Sequence, residues 1–260
     1  MKILVFHQFY TRLDEPGISR FNLFASYWKR AGYETTVIAG NLNYMTGKRS
    51  LLKRSDAGGE RDGDVQIIRA WSSSFLYRTF FGRLLSYLTF MCSAFFAGLS
   101  VKKSDYVIAS SPSIFIGLLG YLVSRVRRVP FILELRDLWP DEIIELGGLK
   151  NKFCIRMSYA LERFLYKKAR RIIVNSPGIA EFLVARKGVP PERVGVLPNP
   201  VEFSSHPDAL REERALRESL GWADDIVLLY SGSMSMVYDF DILLDIAKTL
   251  EHESLSFRFV

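Results

Sequence analysis

The sequence predicts an α/β fold built on a parallel β-sheet. Short apolar runs recur along the chain, and most of the intervals between them have the periodicity of amphipathic helices. The runs are continuously apolar rather than alternating, which is typical of parallel strands covered by helices on both faces. The predicted strands are residues 3–6, 36–39, 65–69, 106–109, 131–135, 172–174 and 194–197.

The first interval shows the helical pattern well. Apolar side chains from Ile18 to Ala31 recur on one face, and Gly32 ends the predicted helix. By contrast, residues 47–64 combine a basic run with a Gly-Gly pair, and we expect a loop there.

A Pro-containing connector at residues 198–207 interrupts the pattern, which then restarts. A charged helix at 208–220, a strand at 226–230, a helix at 240–250 and a strand from Phe257 are predicted after it. We therefore expect two domains, residues 1–200 and residues 201–260. The second is expected to be incomplete, because one and a half βα units do not bury both faces of a sheet.

Composition narrows the class of protein. The 260 residues are 48% hydrophobic and 24% charged, as in a globular chain, and the net charge of +7 favours anionic partners. Cys92 and Cys154 lie far apart within apolar or helical patterns, so neither a disulfide framework nor a zinc site is expected. The N-terminal apolar run is interrupted by His7 and Gln8, which favours a buried strand over a secretory signal.

Residues 65–104 contain no Asp or Glu, but they contain five basic and nine aromatic residues. Within them, residues 84–101 are uncharged and are flanked by Arg83 and by Lys102 and Lys103. A membrane span is not expected, because it would place strands of one sheet in different compartments. A buried core helix remains an alternative. We favour a helix that packs partly on the domain and contacts an anionic membrane surface through residues 75–103.

Charged residues follow the strand at 131–135. In an open parallel sheet, ligands bind beyond the carboxyl ends of the strands. Glu134, Arg136 and Asp137 lie in the segment Glu-Leu-Arg-Asp-Leu-Trp-Pro at this position. Their desolvation is tolerated if they pair with one another or with a ligand, and the sequence leaves both alternatives open.

Three further turns follow predicted strands. Gly17 and Ser19 could bring a helix N-terminus close to an anionic group, although an ordinary turn is the alternative. Asn175 or Ser176 is expected to cap a helix. The segment at 230–235, which contains Gly232, could cradle a phosphate, but it lacks the lysine of a P-loop.

Four segments in this order resemble the family 4 glycosyltransferases of the GT-B fold, in particular a bacterial surface-polysaccharide branch similar to fucosamine transferases. They are Ser-Ser-Pro-Ser at 110–113, the motif at 134–140, Val-Asn-Ser-Pro-Gly-Ile at 174–179 and Val-Leu-Pro-Asn-Pro-Val at 196–201. The resemblance covers nearly the whole chain. It implies an N-terminal Rossmann-like domain for a lipid-linked glycan acceptor, the beginning of a second such domain for a nucleotide-sugar donor, and retaining transfer without a metal or another cofactor.

The resemblance also assigns roles to individual residues. Asp137 and Arg136 are expected to be catalytic, beside the acceptor and the transferred sugar. Acceptor or diphosphate binding is assigned to Gly17, Ser19 and Glu134, and donor binding to Asn199, Gly232 and Ser233. The chain departs from the family pattern at Pro16 and Ser235, where glycines are usual.

The resemblance places a Glu-x7-Glu element of the donor site in the later half of the second domain, a region that this sequence does not reach, so a truncated glycosyltransferase of doubtful activity on its own is expected. We expect it in the cytoplasm, peripheral to the inner face of the plasma membrane. A non-catalytic acceptor-binding or scaffold protein is the alternative. A nucleic-acid-binding module is disfavoured, because the basic residues form neither a helix-turn-helix nor an RNP-like pattern.

Overall fold

The computed structural model describes residues 1–15, 20–50, 60–75, 80–111, 113–200, 209–222, 225–232, 239–250 and 257–260. The chain divides into two compact units, Met1–Glu202 and Phe203–Val260. Whether they serve acceptor and donor binding, as the sequence suggests, stays a prediction.

The first unit is a sheet covered by helices on both faces. Its strands are β1 (Lys2–His7), β2 (Glu34–Gly40), β3 (Glu60–Asp62), β4 (Val65–Ala70), β5 (Tyr106–Ser110), β6 (Phe131–Leu135), β7 (Arg171–Val174) and β8 (Val194–Val196). The helices are α1 (Arg20–Arg30), α2 (Phe80–Ser100), α3 (Ile114–Arg127), α4 (Asp141–Glu145), α5 (Lys152–Lys168) and α6 (Pro177–Lys187). The strand order is β3-β4-β2-β1-β5-β6-β7-β8.

All neighbouring strands of this sheet are parallel except β3, which pairs antiparallel with β4. The predicted α/β class with a parallel sheet is therefore confirmed. The prediction of a loop throughout residues 47–64 is wrong at its end, because β3 lies there. Its residues Glu60, Arg61 and Asp62 are all charged, so a search for apolar runs passes over this edge strand. Residues 51–59 lie outside the described part.

Two hydrophobic cores lie on the two faces of the sheet. Side chains of α2, α3, α5 and α6 pack in one of them, and side chains of α1 pack in the other. On α2, Ser86, Phe90 and Ala94 are buried at four-residue spacing, whereas Phe81 and Phe96 are exposed. Among the described residues α2 is the one helix long and apolar enough to cross a membrane by length and composition. One side of α2 is thus part of the protein core, and Phe81 and Phe96 on the other side are exposed.

Side-chain caps fix the starts of several helices. The Ser176 hydroxyl accepts a hydrogen bond from the Ile179 amide at the start of α6, and Pro177 occupies the first turn. Ser176, rather than Asn175, is therefore the capping residue. Ser113 and Asn151 cap α3 and α5 in the same way.

The second unit contains α7 (Ala209–Ser219), β9 (Ile226–Leu228), α8 (Phe240–Leu250) and β10 (Phe257–Phe259). β9 and β10 form a two-stranded parallel sheet. Among the residues of this unit whose burial is described, 212–222, 225–232, 239–250 and 258–260, none is buried, and Leu216, Leu229, Ile242 and Leu244 are each more than half exposed. These described residues contain no hydrophobic core of their own.

Candidate active site

The strand order reverses between β1 and β5, which places a crevice at the carboxyl ends of these strands. Three polar residues end neighbouring strands here. His7 ends β1, Ser110 ends β5, and Glu134 lies opposite Ser110 on β6. Their side chains are buried, at 0%, 0% and 2% exposure. Because buried polar groups are costly in a sheet interior, this row marks the crevice as a candidate site.

A buried ion pair crosses the crevice. Arg20, the first residue of α1, has its Nε 3.3 Å from Oε1 of Glu134, and both side chains are 3% exposed. Arg20 also donates hydrogen bonds to the carbonyl oxygens of Leu197 and Pro198, after β8. Burial raises the pKa of Glu134, and the charge of Arg20 opposes this only in part. The pair therefore joins the ends of β6 and β8 to α1 without fully offsetting the desolvation of the carboxylate.

Arg136 is held by its backbone groups, while its side chain has no ionic partner among the described residues. The Arg136 amide donates to Ser111 Oγ at 3.1 Å, and the Arg136 carbonyl accepts from Asn175 Nδ2 at 3.2 Å. The side chain is half-buried, and within the described residues it makes no ion pair. Since Glu134 pairs with Arg20 instead, the guanidinium of Arg136 is available to an anion.

Asp137 is the neighbouring half-buried group, and it too lacks an ionic partner in the described part of the chain. Burial raises the pKa of its carboxyl, and the charge of Arg136 opposes that rise. Burial also raises the pKa of Tyr87, and the Asp137 charge acts in the same direction. An Arg136–Asp137 ion pair, one of the two interpretations open from the sequence, does not form. Both groups are therefore free to meet a ligand.

His7 is a neutral group at the same edge. Burial lowers its pKa well below the ordinary value, and the charges of Arg136 and Arg20 act in the same direction. Among the described residues neither ring nitrogen has a hydrogen-bond partner. Its ring contacts Phe21 at a centroid separation of 5.4 Å. A neutral imidazole here adds no charge beside the two guanidinium groups.

A line of half-buried aromatic rings runs along the crevice. Ring centroids are separated by 5.8 Å from Tyr44 to Phe9, 6.4 Å from Phe9 to Tyr87, 6.5 Å from Tyr87 to Phe115, and 6.3 Å from Phe115 to Trp139. These rings come from the segments that follow β1 and β2, from α2, from α3 and from the motif after β6. Aromatic faces and edges of this kind offer an apolar wall next to the charged pair.

A buried polar network holds the segment that follows β1. Asp62 accepts hydrogen bonds from the Tyr10 hydroxyl at 2.9 Å and from Asn22 Nδ2 at 3.0 Å. Arg69 donates to the Tyr10 carbonyl at 3.1 Å and to the Gly40 carbonyl at 3.2 Å. Gly40 is needed for a close approach, because a Cβ atom there would lie 2.7 Å from the carbonyl oxygen of Gln8. The network fixes the chain that leads toward residues 16–19.

The structure brings together only part of the site expected from the sequence. Glu134, Arg136 and Asp137 lie at one strand end, and Asn199 is exposed on the segment that begins with the Arg20-bound carbonyls. Gly17, Ser19 and Ser233 lie outside the described residues. Gly232 is an exposed bend in the second unit. The roles assigned to these residues stay predictions.

Arg20 and His7 were not predicted as site residues. Arg20 carried a usable signal, because a cation in the first turn of a helix opposes the helix dipole and therefore indicates a specific anionic partner. His7 carried a weaker one, as a polar residue at the end of an apolar strand. No group of three or more His, Cys, Asp or Glu side chains in the described ranges could hold a metal ion.

The arrangement matches a known family. Residues 18–200 match the Glycosyl transferase 4-like domain, so the chain belongs to this family. It is 28% identical over 161 residues to D-inositol 3-phosphate glycosyltransferase 1 of Catenulispora acidiphila, an alignment that covers 62% of this chain and 38% of the relative. The chain thus spans less than half of that protein's length.

Solved structures share the fold. HepE of Anabaena, crystallised with UDP and glucose, superposes with a TM-score of 0.55 at 17% identity, covering 96% of this chain and 58% of that one. Sucrose-phosphate synthase of Thermosynechococcus elongatus superposes with a TM-score of 0.64 at 13% identity, covering 99% and 61%. These similarities support the expected GT-B class with Rossmann-like topology.

Proposed function

We propose that this protein takes part in the transfer of a sugar from a nucleotide-sugar donor to a lipid-linked glycan acceptor, with retention of anomeric configuration. Family membership supports sugar transfer. The UDP and glucose bound by Anabaena HepE support a nucleotide sugar as donor. We further propose that the protein belongs to the bacterial branch that is similar to fucosamine transferases and that its reaction needs no metal.

One observation carries the proposal. Arg136 and Asp137 follow β6 at the edge where ligands of parallel sheets bind, and neither has an ionic partner in the described part of the chain. An unpaired, half-buried cation next to a carboxyl of raised pKa is poorly suited to packing and well suited to a polar ligand. A purely structural pair would have joined the two side chains.

The two groups have complementary roles in the proposed reaction. The Arg136 guanidinium binds the negative charge of a diphosphate group, which grows as the sugar leaves its nucleotide. The Asp137 carboxylate accepts the hydrogen bond, and then the proton, of an acceptor hydroxyl that attacks the anomeric carbon from the face that the diphosphate leaves. The bond to the acceptor thus replaces the bond to the diphosphate with retention of configuration. Arg20 and Glu134 hold the strand ends at the right distance, because they join β6, α1 and the segment after β8. The aromatic line from Tyr44 to Trp139 provides the apolar wall for the acceptor.

The location proposed for this reaction is the cytoplasmic face of the plasma membrane. The acid-free window at 65–104 supports contact with an anionic membrane surface through residues 75–103. The exposed side of α2 supports it further, because Phe81, Leu85 and Phe96 lie on one stripe there. A lipid-linked acceptor would be presented at that surface.

Labelled nucleotide sugars test the proposal. The whole protein is incubated with each donor and with lipid extract, and label is measured in the organic phase. Transfer with one donor is expected, and NMR of the product is expected to show the donor's anomeric configuration. An inverted product would disprove retention. Binding of the lipid acceptor without transfer from any donor would favour the scaffold alternative.

A further inference from the structure

The outer surfaces of α2, α3 and α5 carry no exposed carboxylate. These helices pack side by side on one face of the sheet, with α3 between the other two. Glu162 is the one acidic residue in their sequences, and it is only 2% exposed. The outer surfaces are also apolar in part: Leu122 and Val126 of α3 are exposed, as are Phe153 and Met157 of α5. The acid-free character therefore extends well beyond residues 65–104.

A groove of about 540 Å³ lies between α5 and α6 at the edge of this surface. Five basic side chains line it, together with Ile155, Tyr159 and Glu162: they are Lys152, Arg156, Arg163, Arg186 and Lys187. Lys187 is the only one of the five with an ion-pair partner in the described part of the chain. The other four are exposed and unpaired there.

Two acidic groups near the groove, Asp141 and Glu162, form ion pairs with Lys187. Lys187 Nζ lies 2.6 Å from Asp141 Oδ2 and 3.0 Å from Glu162 Oε1. Burial lowers the pKa of Lys187, but the hydrogen bonds that Lys187 donates to Asp141 and Glu162 outweigh this effect and raise the pKa overall. The groove therefore presents four uncompensated cations to any ligand that enters it.

The apolar and basic stripes of α5 lie next to each other. Lys152, Arg156 and Arg163 line the groove, whereas Phe153 (71% exposed) and Met157 (54% exposed) lie one position further round the helix. Phe164 continues the apolar stripe toward α3, where its ring meets Tyr121 at a centroid separation of 5.0 Å. A soluble anion would use the cations but not the apolar stripe. A membrane surface uses both, because head groups meet the cations and acyl chains meet the exposed rings.

We propose that α5, with the groove between α5 and α6, docks on anionic phospholipid, with the phosphate head groups in the groove and Phe153 and Met157 in the acyl boundary. This deepens the proposed function, since it adds a second contact to the one at residues 75–103. It does not depend on transfer activity, because no donor or acceptor takes part in docking.

The test is cosedimentation of the protein with vesicles of phosphatidylcholine containing phosphatidylglycerol, in the absence of any sugar donor. Arg156→Gln/Arg163→Gln should weaken partitioning by on the order of tenfold or more, since each Lys or Arg at such a surface is worth about fivefold. The matched control is Lys29→Gln/Arg30→Gln on α1, on the opposite face of the sheet, which should bind as the wild type does. Circular dichroism checks that each variant folds.

Two further measurements distinguish a phospholipid surface from a soluble phosphate as the ligand. Phe153→Ser/Met157→Ser should weaken vesicle binding, whereas soluble glycerol phosphate at millimolar concentration should not displace the protein from vesicles. Equal binding by the Arg156/Arg163 variant and the α1 control would overturn the proposal. Loss of binding only in a Phe81→Ser/Phe96→Ser variant would also overturn it and leave α2 as the sole contact. Dimerisation that depends on Phe153, without vesicle binding, would show that a second copy covers this face. Loss of sugar transfer with normal vesicle binding would count against the proposed function alone.

Discussion

Phe90 and Phe96 test how α2 is attached to the protein. The two residues lie on the same helix, yet Phe90 is 0% exposed in the core and Phe96 is 71% exposed. Phe90→Ala removes a fully buried ring, and such substitutions cost about 3–5 kcal/mol from lost transfer free energy and the cavity left behind. Phe96→Ala removes a ring that is mostly in water, so the free energy of unfolding should change by less than about 0.5 kcal/mol.

The assay is equilibrium unfolding in urea, followed by far-UV circular dichroism. A loss of about 3–5 kcal/mol is a large fraction of the stability of a typical domain, so the Phe90→Ala midpoint should fall well below that of the wild type. The slope of the transition should stay the same if only stability has changed. Similar midpoints for the two variants would refute the packing of α2 on the sheet. A strongly destabilised Phe96→Ala would show that its exposed side is covered in solution.

Three further predictions follow from the site and the domain organisation. Burial raises the pKa of Glu134, so its contribution to the free energy of unfolding is full below the carboxyl pKa of the unfolded chain and is lost as pH rises through the folded-state pKa. Glu134→Gln should therefore remove that part of the pH dependence of the urea midpoint. An unchanged pH profile would argue against this prediction. Burial likewise raises the pKa of Asp137, so Asp137→Asn should leave the melting temperature at neutral pH equal or higher, and a clear decrease would indicate a structural role. Limited proteolysis should leave a stable fragment that ends near residue 200, because no residue of the second unit whose burial is described is buried; uniform resistance through Val260 would contradict this.

The inner strands of the sheet could be predicted from sequence because they are buried on both faces. A strand such as β6 is then apolar except at Glu134, near its carboxyl end, and Phe131–Leu135 was predicted with its observed bounds. The edge strand β3 was not predicted, because it pairs with a single antiparallel neighbour and its side chains are charged. Asp62 is buried there with hydrogen bonds from residues distant in sequence, namely the Tyr10 hydroxyl, Asn22 Nδ2 and the Leu13 amide.

The site was predictable in position but not in its pairing. Polar residues at the end of an apolar strand indicate the ligand edge of a sheet, and in the structure Glu134, Arg136 and Asp137 lie at the end of β6, while their part in ligand binding stays a prediction. The sequence could not show that Glu134 pairs with Arg20, because the two residues are far apart in sequence and meet only through the packing of α1 on the sheet. That pairing leaves Arg136 and Asp137 without ionic partners in the described part of the chain.

Whether Arg136 and Asp137 take part in sugar transfer is decided most sharply by the Asp137→Asn variant. The measurement is the rate at which label passes from a nucleotide sugar to the lipid fraction, with the wild type and the variant compared at equal folded concentration. We predict that the variant loses about 10²–10⁴-fold in rate, the range for removal of a general base, while its melting temperature is unchanged or higher. A folded Asp137→Asn protein that transfers sugar at the wild-type rate would contradict the account.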